Sequence, residues 1–446
     1  MAITITDNPY SVTRVGQPLI ISATSTNVAN SGFRFVVRLT YFDLTTEDFY
    51  ISPNPENRLM FNMFESLKNK GNTNISDSDI QVSAIQATAS GDGFFRYKIT
   101  LFEAWEVDGL LTIDEASQVD VQSEEDETDF YYIHASYQPS DGYKPNPEIT
   151  YGFTAGATPT TSTSLFMGDR DSNTRPLPES LPFINNFPPS TYVAQPVRNN
   201  DWGVVNVLSG YVGSSIPLAA ELWVRYLLVK ADLTAEVYSE QLSNTPRIIS
   251  IAAYPSNLNQ GDIGTIIPAN FAGYKYYTIQ LFNQDPSIVT GRQALSALYV
   301  FYPVPDDCEH DNVRLCWWSP NKGGYDFFNF SKVNEESVSV ERKRITKIVG
   351  NYSGTSFSLD TTKGGLTEVS VKPTTSLEIS TDWISEGEFK LISNIVKSKA
   401  VWIINDNGTA TPVVVETNSF LSERKRDGKL KRATLRLQMA NENYYY

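Results

Sequence analysis

Residues 33–42 read Phe-Arg-Phe-Val-Val-Arg-Leu-Thr-Tyr-Phe. Phe33, Phe35, Val37, Leu39 and Tyr41 occupy alternate positions, with Arg34, Val36, Arg38 and Thr40 between them. Successive side chains of a strand point to opposite faces, so this spacing predicts an antiparallel strand with one face on a core and one in water. The pattern recurs. Phe95, Tyr97, Ile99 and Leu101 alternate with Arg96, Lys98 and Thr100, and Tyr277, Ile279 and Leu281 alternate with Thr278 and Gln280. Glu221 to Val229 (ELWVRYLLV) and Leu298 to Tyr302 (LYVFY) read as strands buried on both sides. Together these segments predict a mainly β chain: several antiparallel, sandwich-like domains, with a small α+β unit at the C-terminal end.

Helical signals are few. Asn57 to Leu67 (NRLMFNMFESL) reads as one short helix. A clearer one spans about 386–397. Ser385 precedes Glu388 by three residues, the capping-box arrangement, and Phe389, Ile392, Ile395 and Val396 recur at helical spacing. After it, Val401 to Ile404 and Val413 to Val415 flank the turn Asn405-Asp406-Asn407-Gly408. Ala433, Leu435, Leu437 and Met439 alternate as a last strand.

The chain has 446 residues, enough for two to four domains. The expected divisions are a β domain over 1–150, a middle β domain over 151–305 and a β-rich domain over 306–446. From about 154 to 201 the periodicity breaks in a Pro-, Thr- and Ser-rich stretch, read as an extended arm or domain crossover. Gln118 to Asp129 contains SEEDETD and reads as an acidic, solvated loop.

The net charge is −15, from 36 basic and 51 acidic residues, and it is unevenly placed. From Asp306 onward basic and acidic residues number 19 each, so the whole excess lies before that point. An acidic chain is repelled by nucleic-acid phosphates, and no nucleic-acid partner is expected. Basic residues cluster at Arg342, Lys343 and Arg344, and again at Arg424, Lys425 and Arg426. Such clusters are as a rule solvated faces. Their functional alternative is an interface with an acidic protein surface, such as the acidic part of a neighbouring copy.

Residues that carry chemistry are scarce. The only cysteines are Cys308 and Cys316, and the only histidines are His134 and His310. Cys308, His310 and Cys316 supply three ligands where a structural zinc takes four, at a spacing that fits no zinc pattern, so no metal or cofactor is expected. No nucleophile elbow, phosphate loop or dinucleotide fingerprint is present. No run of about 18 apolar residues occurs, so no membrane-spanning helix is expected. The opening residues MAITITDNPY show no secretory signal.

One segment says more. Arg314 to Phe330 reads RLCWWSPNKGGYDFFNF. Gly323-Gly324 imposes a turn. Trp317, Trp318, Tyr325, Phe327, Phe328 and Phe330 crowd its two sides. This pattern resembles the W-x-N-x-x-GG-x-D-x-F-x-F signature of uncharacterised virion proteins of tailed phages that infect Bacteroidota, crAss-like phages among them. The sequence departs from it in having Ser319-Pro320 between Trp318 and Asn321. The opening ITITDNPYSVTRVGQPLIISATSTN and the segment from Leu377 onward are similar to that family's two ends.

The resemblance implies a tail, ring or baseplate component, assembled in the host cytoplasm through contacts with its own copies and with other virion proteins. It implies no catalytic residue. The candidate interface residues come from the sequence itself: Arg342, Lys343, Arg344, Arg424, Lys425 and Arg426 from the basic clusters, and Trp317, Trp318 and Tyr325 from a hairpin whose aromatics either fill a core or clasp a neighbour. The alternative is a carbohydrate-binding module that recognises a host-surface glycan, with Trp317, Trp318 and Trp223 as stacking platforms. A polysaccharide hydrolase ranks last, since no β-helix repeat accompanies the acids such an enzyme would need.

Overall fold

The computed structural model describes residues 2–41, 43–68, 70, 75–82, 86–88, 94–124, 128–137, 192–208, 222–242, 248–259, 273–282, 298–303, 313–320, 323–360, 365–381, 384, 386–417 and 432–440. Strands dominate them. The elements fall into three successive groups, the second of which borrows one strand from the first.

The first group runs β1 (Ile3–Asp7), β2 (Val12–Arg14), β3 (Ile20–Ser25), β4 (Arg34–Tyr41), β5 (Thr46–Ile51), β6 (Arg58–Asn62), α1 (Phe64–Leu67), α2 (Asp77–Ile80), β7 (Gln86–Thr88), β8 (Phe94–Val107), β9 (Leu110–Asp120) and β10 (Phe130–Ile133). A three-stranded sheet, β1-β3-β6, faces a second sheet ordered β2-β10-β8-β4-β5, with β9 added along β8. The alternate residues Phe35, Val37 and Leu39 of β4 and Tyr97, Ile99 and Leu101 of β8 fill the space between the sheets, meeting Ile21, Ala23 and Leu59. The opening stretch therefore does lie on one face of a sandwich.

Residues 57–67 are not one helix. Arg58–Asn62 is a strand paired with β3, and only Phe64–Leu67 is helical. Leu59 is fully buried while Met60 is 59% exposed, an alternation of period two. Pairing with β3 overrides a weak helical propensity. Asn57, at φ +61°, closes the turn before the strand.

The second group comprises β11 (Tyr192–Val197), β12 (Val204–Leu208), β13 (Trp223–Lys230), β14 (Ala235–Gln241), β15 (Ile248–Ala252), α3 (Pro255–Leu258), β16 (Tyr274–Phe282) and β17 (Leu298–Pro303). Its five-stranded sheet, β11-β17-β16-β13-β14, packs against a three-stranded sheet, β12-β15-β7, whose last strand comes from the first group. The arm expected to reach 201 ends earlier: its residues 192–197 form β11, parallel to β17. Pro196 is tolerated there because β11 is an edge strand. β13 alternates over most of its length rather than being buried on both sides: Val224, Tyr226 and Leu228 are buried while Trp223, Arg225 and Leu227 are half-buried, and only at Leu228–Val229 are both faces buried. β17 is buried on both faces from Leu298 to Tyr302.

The third group comprises β18 (Val313–Trp318), β19 (Tyr325–Phe330), β20 (Lys332–Thr346), β21 (Gly350–Tyr352), β22 (Phe357–Leu359), β23 (Leu366–Ser380), α4 (Glu386–Ser393), a 3₁₀ turn (Ile395–Lys397), β24 (Val401–Ile404), β25 (Ala410–Val415) and β26 (Thr434–Met439). Its seven-stranded sheet is ordered β19-β18-β24-β25-β26-β23-β20. The helix expected over 386–397 is α4 followed by the 3₁₀ turn, and it buries Phe389, Leu391, Ile392 and Ile395 against the sheet. Ser385, the expected cap, lies outside the described residues.

The divisions expected at 150 and 305 also lie outside the described residues, and the elements on either side share one core. Val12, Ile80 and Phe94 of the first group, Tyr254 and Phe301 of the second, and Trp318, Phe327 and Trp402 of the third belong to a single buried cluster. β18 stands at its centre. Leu315 and Trp317 point into the core under α4, whereas Cys316 and Trp318 point into the shared core. The Trp318 indole N–H donates to the His134 carbonyl. Its ring packs edge-on against Phe94, 4.9 Å between centroids.

Arg314 makes the corresponding join to the second group. It is 5% exposed. Its Nε donates to the Trp202 carbonyl at 2.8 Å and its Nη1 to Asn329 Oδ1 at 2.9 Å. Nη1 also lies 3.2 Å from Asp201 Oδ2, and the guanidinium stacks 4.2 Å over the Tyr254 ring. Asn329 Nδ2 and the Arg198 N–H both donate to the same Asp201 oxygen, at 2.7 and 2.9 Å. A buried charge is stable only when paired and hydrogen-bonded, and here both charges are. Arg314→Ala leaves Asp201 buried and short of its cation. Urea unfolding should show a loss of about 3–5 kcal/mol. A loss below about 1 kcal/mol would mean that the network is dispensable.

Candidate interaction surface

The aromatic residues expected at an interface are core residues. Trp317, Trp318 and Tyr325 are 0%, 1% and 2% exposed. The reason is the strand period: consecutive tryptophans of β18 point to opposite faces, and each face is covered by a different core. Ser319 donates its N–H to the Gly324 carbonyl at 2.8 Å, and Gly323 and Gly324 take φ +76° and +84°, so the Gly-Gly turn forms as the sequence suggests. Tyr325 meets Trp318 edge-on at 5.1 Å and Trp402 at 6.2 Å. Neither tryptophan is available to stack on a sugar, and Trp223 is half-buried. Cys316 is buried in the same core and His134 is 5% exposed. Cys308, His310, Arg424, Lys425 and Arg426 lie outside the described residues.

Arg342, Lys343 and Arg344 sit on a feature the sequence did not announce. β20 and β23 are 15 residues each and pair along almost their whole length. β26 backs β23 only over Ser376–Ser380. Beyond that point, Val338–Thr346 and Leu366–Thr375 continue as a two-stranded ribbon with no third strand among the described residues. At about 3.3 Å per residue the nine residues of β20 there span roughly 30 Å. Every residue from 335 to 348 is exposed.

The ribbon has two unlike faces. Cross-strand partners share a face, which places Val338, Val340, Val371 and Pro373 together, followed by Arg342, Arg344 and Glu368. The opposite face carries Ser337, Ser339, Glu341 and Lys343, facing Ser376, Thr374, Lys372 and Ser370. Val338 and Val340 are 58% and 42% exposed. Farther out, Ile348, Phe357, Leu359 and Leu366 are exposed as well.

The electrostatics of the apolar face are lopsided. Arg342 Nη1 donates to Glu368 Oε2 at 2.7 Å, and Arg344 Nη2 to Glu368 Oε1 at 3.1 Å. The Arg342 bond, supported by Arg344, holds the Glu368 carboxyl below the usual carboxylate range. One carboxylate thus serves two guanidiniums. Residues 342–372 contain six basic and two acidic residues, a net of +4 on a chain whose remainder carries −19.

An isolated two-stranded hairpin is marginal in water, and an uncovered apolar stripe on it is a surface made for contact. Among the described residues no group of three His, Cys, Asp or Glu side chains converges as a metal site, and no helix is long and apolar enough to cross a membrane. Neither a protein-family model nor a curated protein matches the chain.

The contrast between core and ribbon is directly measurable. Trp317→Ala should cost about 3–5 kcal/mol in urea unfolding, as large core truncations do. Val338→Ser should leave stability within about 0.5 kcal/mol. A large loss at Val338 that is independent of protein concentration would mean that the chain covers the ribbon itself.

Proposed function

We propose that the chain is a structural subunit of a tailed-phage particle, in the tail, ring or baseplate region, acting by homo-oligomeric assembly and contacts with other virion proteins. The observation that carries this reading is the ribbon: a long β-arm, exposed along β20 and half-buried along most of β23, with one apolar face, rooted in the seven-stranded sheet. Such an arm buries its face only by reaching another polypeptide. Its basic charge on an acidic chain suits a contact between copies, where arm meets body. The resemblance of Arg314–Phe330 and of both chain ends to virion proteins supports the particle. The aromatic motif that carries the resemblance builds the base from which the ribbon projects.

Native mass spectrometry and electron-microscope class averages of the purified chain test this. A defined oligomer or ring is expected. A single monomer mass at every concentration up to the solubility limit overturns it.

Glycan recognition keeps one observation in its favour. An open cavity of about 750 Å3 lies between β1 and β9, lined by Thr6, Asn8, Gln118, Asp120, Gln122 and Ser123 among others. Amides, hydroxyls and a carboxylate in one groove suit sugar hydroxyls. A glycan array should then give hits that Gln118→Ala removes. An array with no hit for the intact chain leaves the groove without this role.

A further inference from the structure

β20 closes the seven-stranded sheet, so the N–H and C=O groups along its outer side meet no strand among the described residues. A proline would blunt that edge, and β20 has none, whereas its partner β23 carries Pro373. β20 is regular from Glu335 to Thr346. The irregularity opposite Lys343 and Arg344 falls on β23, where Val369 is the extra residue.

We infer that β20 pairs antiparallel with β20 of a second copy, about a two-fold axis at Ser339, joining two sheets edge to edge. This rests on the assembly reading above and names one of its contacts. The register follows from backbone geometry and charge. Along an edge, alternate residues turn their N–H and C=O outward, and an outward residue must face an outward residue. Two copies of one edge therefore have only registers centred on a residue.

Centred on Ser339, Glu335 faces Lys343, Glu336 faces Arg342 and Val338 faces Val340, each twice by symmetry. Moving the centre to Val338 sets Glu335 against Glu341. Moving it to Val340 keeps one kind of ion pair, Glu336 with Arg344. Moving it to Glu341 sets glutamate against glutamate. The Ser339 register alone pairs every charge from Glu335 to Lys343 with an opposite charge or a hydroxyl.

The side-chain environment agrees. Glu336, Val338, Val340 and Arg342 share one face, so the facing valines join their apolar stripes across the axis. Arg342 and Arg344 share one carboxylate within their own ribbon, and Glu336 of the second copy supplies the missing negative charge. Glu335 stands opposite Glu378 in its own sheet, a like-charge neighbour that Lys343 of the second copy offsets. Glu335, Glu336 and Lys343 form no ion pair among the described residues.

The test uses the full chain with Cys308→Ser as background, since Cys316 is buried. Opposed Cα atoms of an antiparallel pair lie about 4.5–5.5 Å apart, within disulfide reach. Two Ser337 residues would be about 13 Å apart along the strands. Under mild oxidation Ser339→Cys should give a disulfide-linked dimer, and Ser337→Cys should not. A second arm reverses charge. The E335K/E336K and R342E/K343E chains should each self-associate at this contact about 100-fold more weakly. An equimolar mixture should restore the contact, because every facing pair is then opposite in sign. Restoration on mixing also shows that both variants are folded. If the unaltered chain assembles but Ser339→Cys gives no linked dimer and mixing restores nothing, the edge pairing is overturned and the assembly reading stands. If the unaltered chain is monomeric at every concentration, both are overturned.

Discussion

The buried guanidinium of Arg314 holds the parts of this molecule in one arrangement. It bonds Trp202 and Asp201 from the second group of strands and Asn329 from the third, and it lies against Tyr254 and Phe327. Losing either the Asp201 or the Trp202 partner would add to the desolvation cost of a guanidinium whose Nη2 is already buried without a hydrogen bond. The groups are therefore fixed relative to one another at β18. Three and four residues farther along the same strand, Trp317 fills the core under α4 and Trp318 reaches the His134 carbonyl. With both faces of β18 occupied, its sheet is a packed base, and the far edge of that sheet projects the β20–β23 ribbon with no third strand beneath it among the described residues.

That dependence explains which parts were legible in the sequence. Phe33–Tyr41 and Phe95–Leu101 were readable because one face of each strand meets a core while the polar side chains of the other are less buried. Tyr277–Leu281, expected to have one wet face, is instead buried on both, with Thr278 and Gln280 only 2% and 6% exposed, because a second apolar cluster of Val229, Tyr276, Val300 and Tyr302 covers that side. Burial writes itself into the sequence at period two. The helix after Glu386 was readable for the same reason at period 3.6. β20 was not. Its own residues 337–345, SVSVERKRI, carry a short alternation, but no core among the described residues selects large apolar residues there. A pattern that reports burial is silent about a strand that is exposed throughout. Ser339 at the centre of a charge-reversing run was the available signal, and it concerns pairing rather than burial.

The tryptophans, which the sequence lets either fill a core or clasp a neighbour, fill cores, and the local pattern is ambiguous for the converse reason. Trp317-Trp318 next to a Gly-Gly turn looks like an exposed clasp when one face of the hairpin is imagined as solvent. β18 has no solvent face. Residues 58–62 failed differently: RLMFN is compatible with helix or strand, and only β3, more than 30 residues earlier in the chain, decides between them. In each case the missing information was the identity of the neighbouring element, which a local pattern does not contain.

A long exposed edge strand is a hazard, since any extended segment can add to it. The charges on β20 answer that hazard selectively. In a parallel, in-register stack each glutamate would sit beside a glutamate and each arginine beside an arginine, so open-ended stacking of identical edges is opposed. The same acid-first, base-last order becomes attractive when one strand is reversed, because reversal sets the acidic half against the basic half. Sign order along the strand thus rejects the orientation that propagates and admits the orientation that closes on itself. A closed two-fold contact leaves the distal part of the ribbon, with Ile348, Phe357 and Leu359 exposed, free to meet a different surface. A subunit with one self-closing edge and a separate apolar tip has two chemically distinct contacts, the minimum from which an assembly larger than a dimer is built.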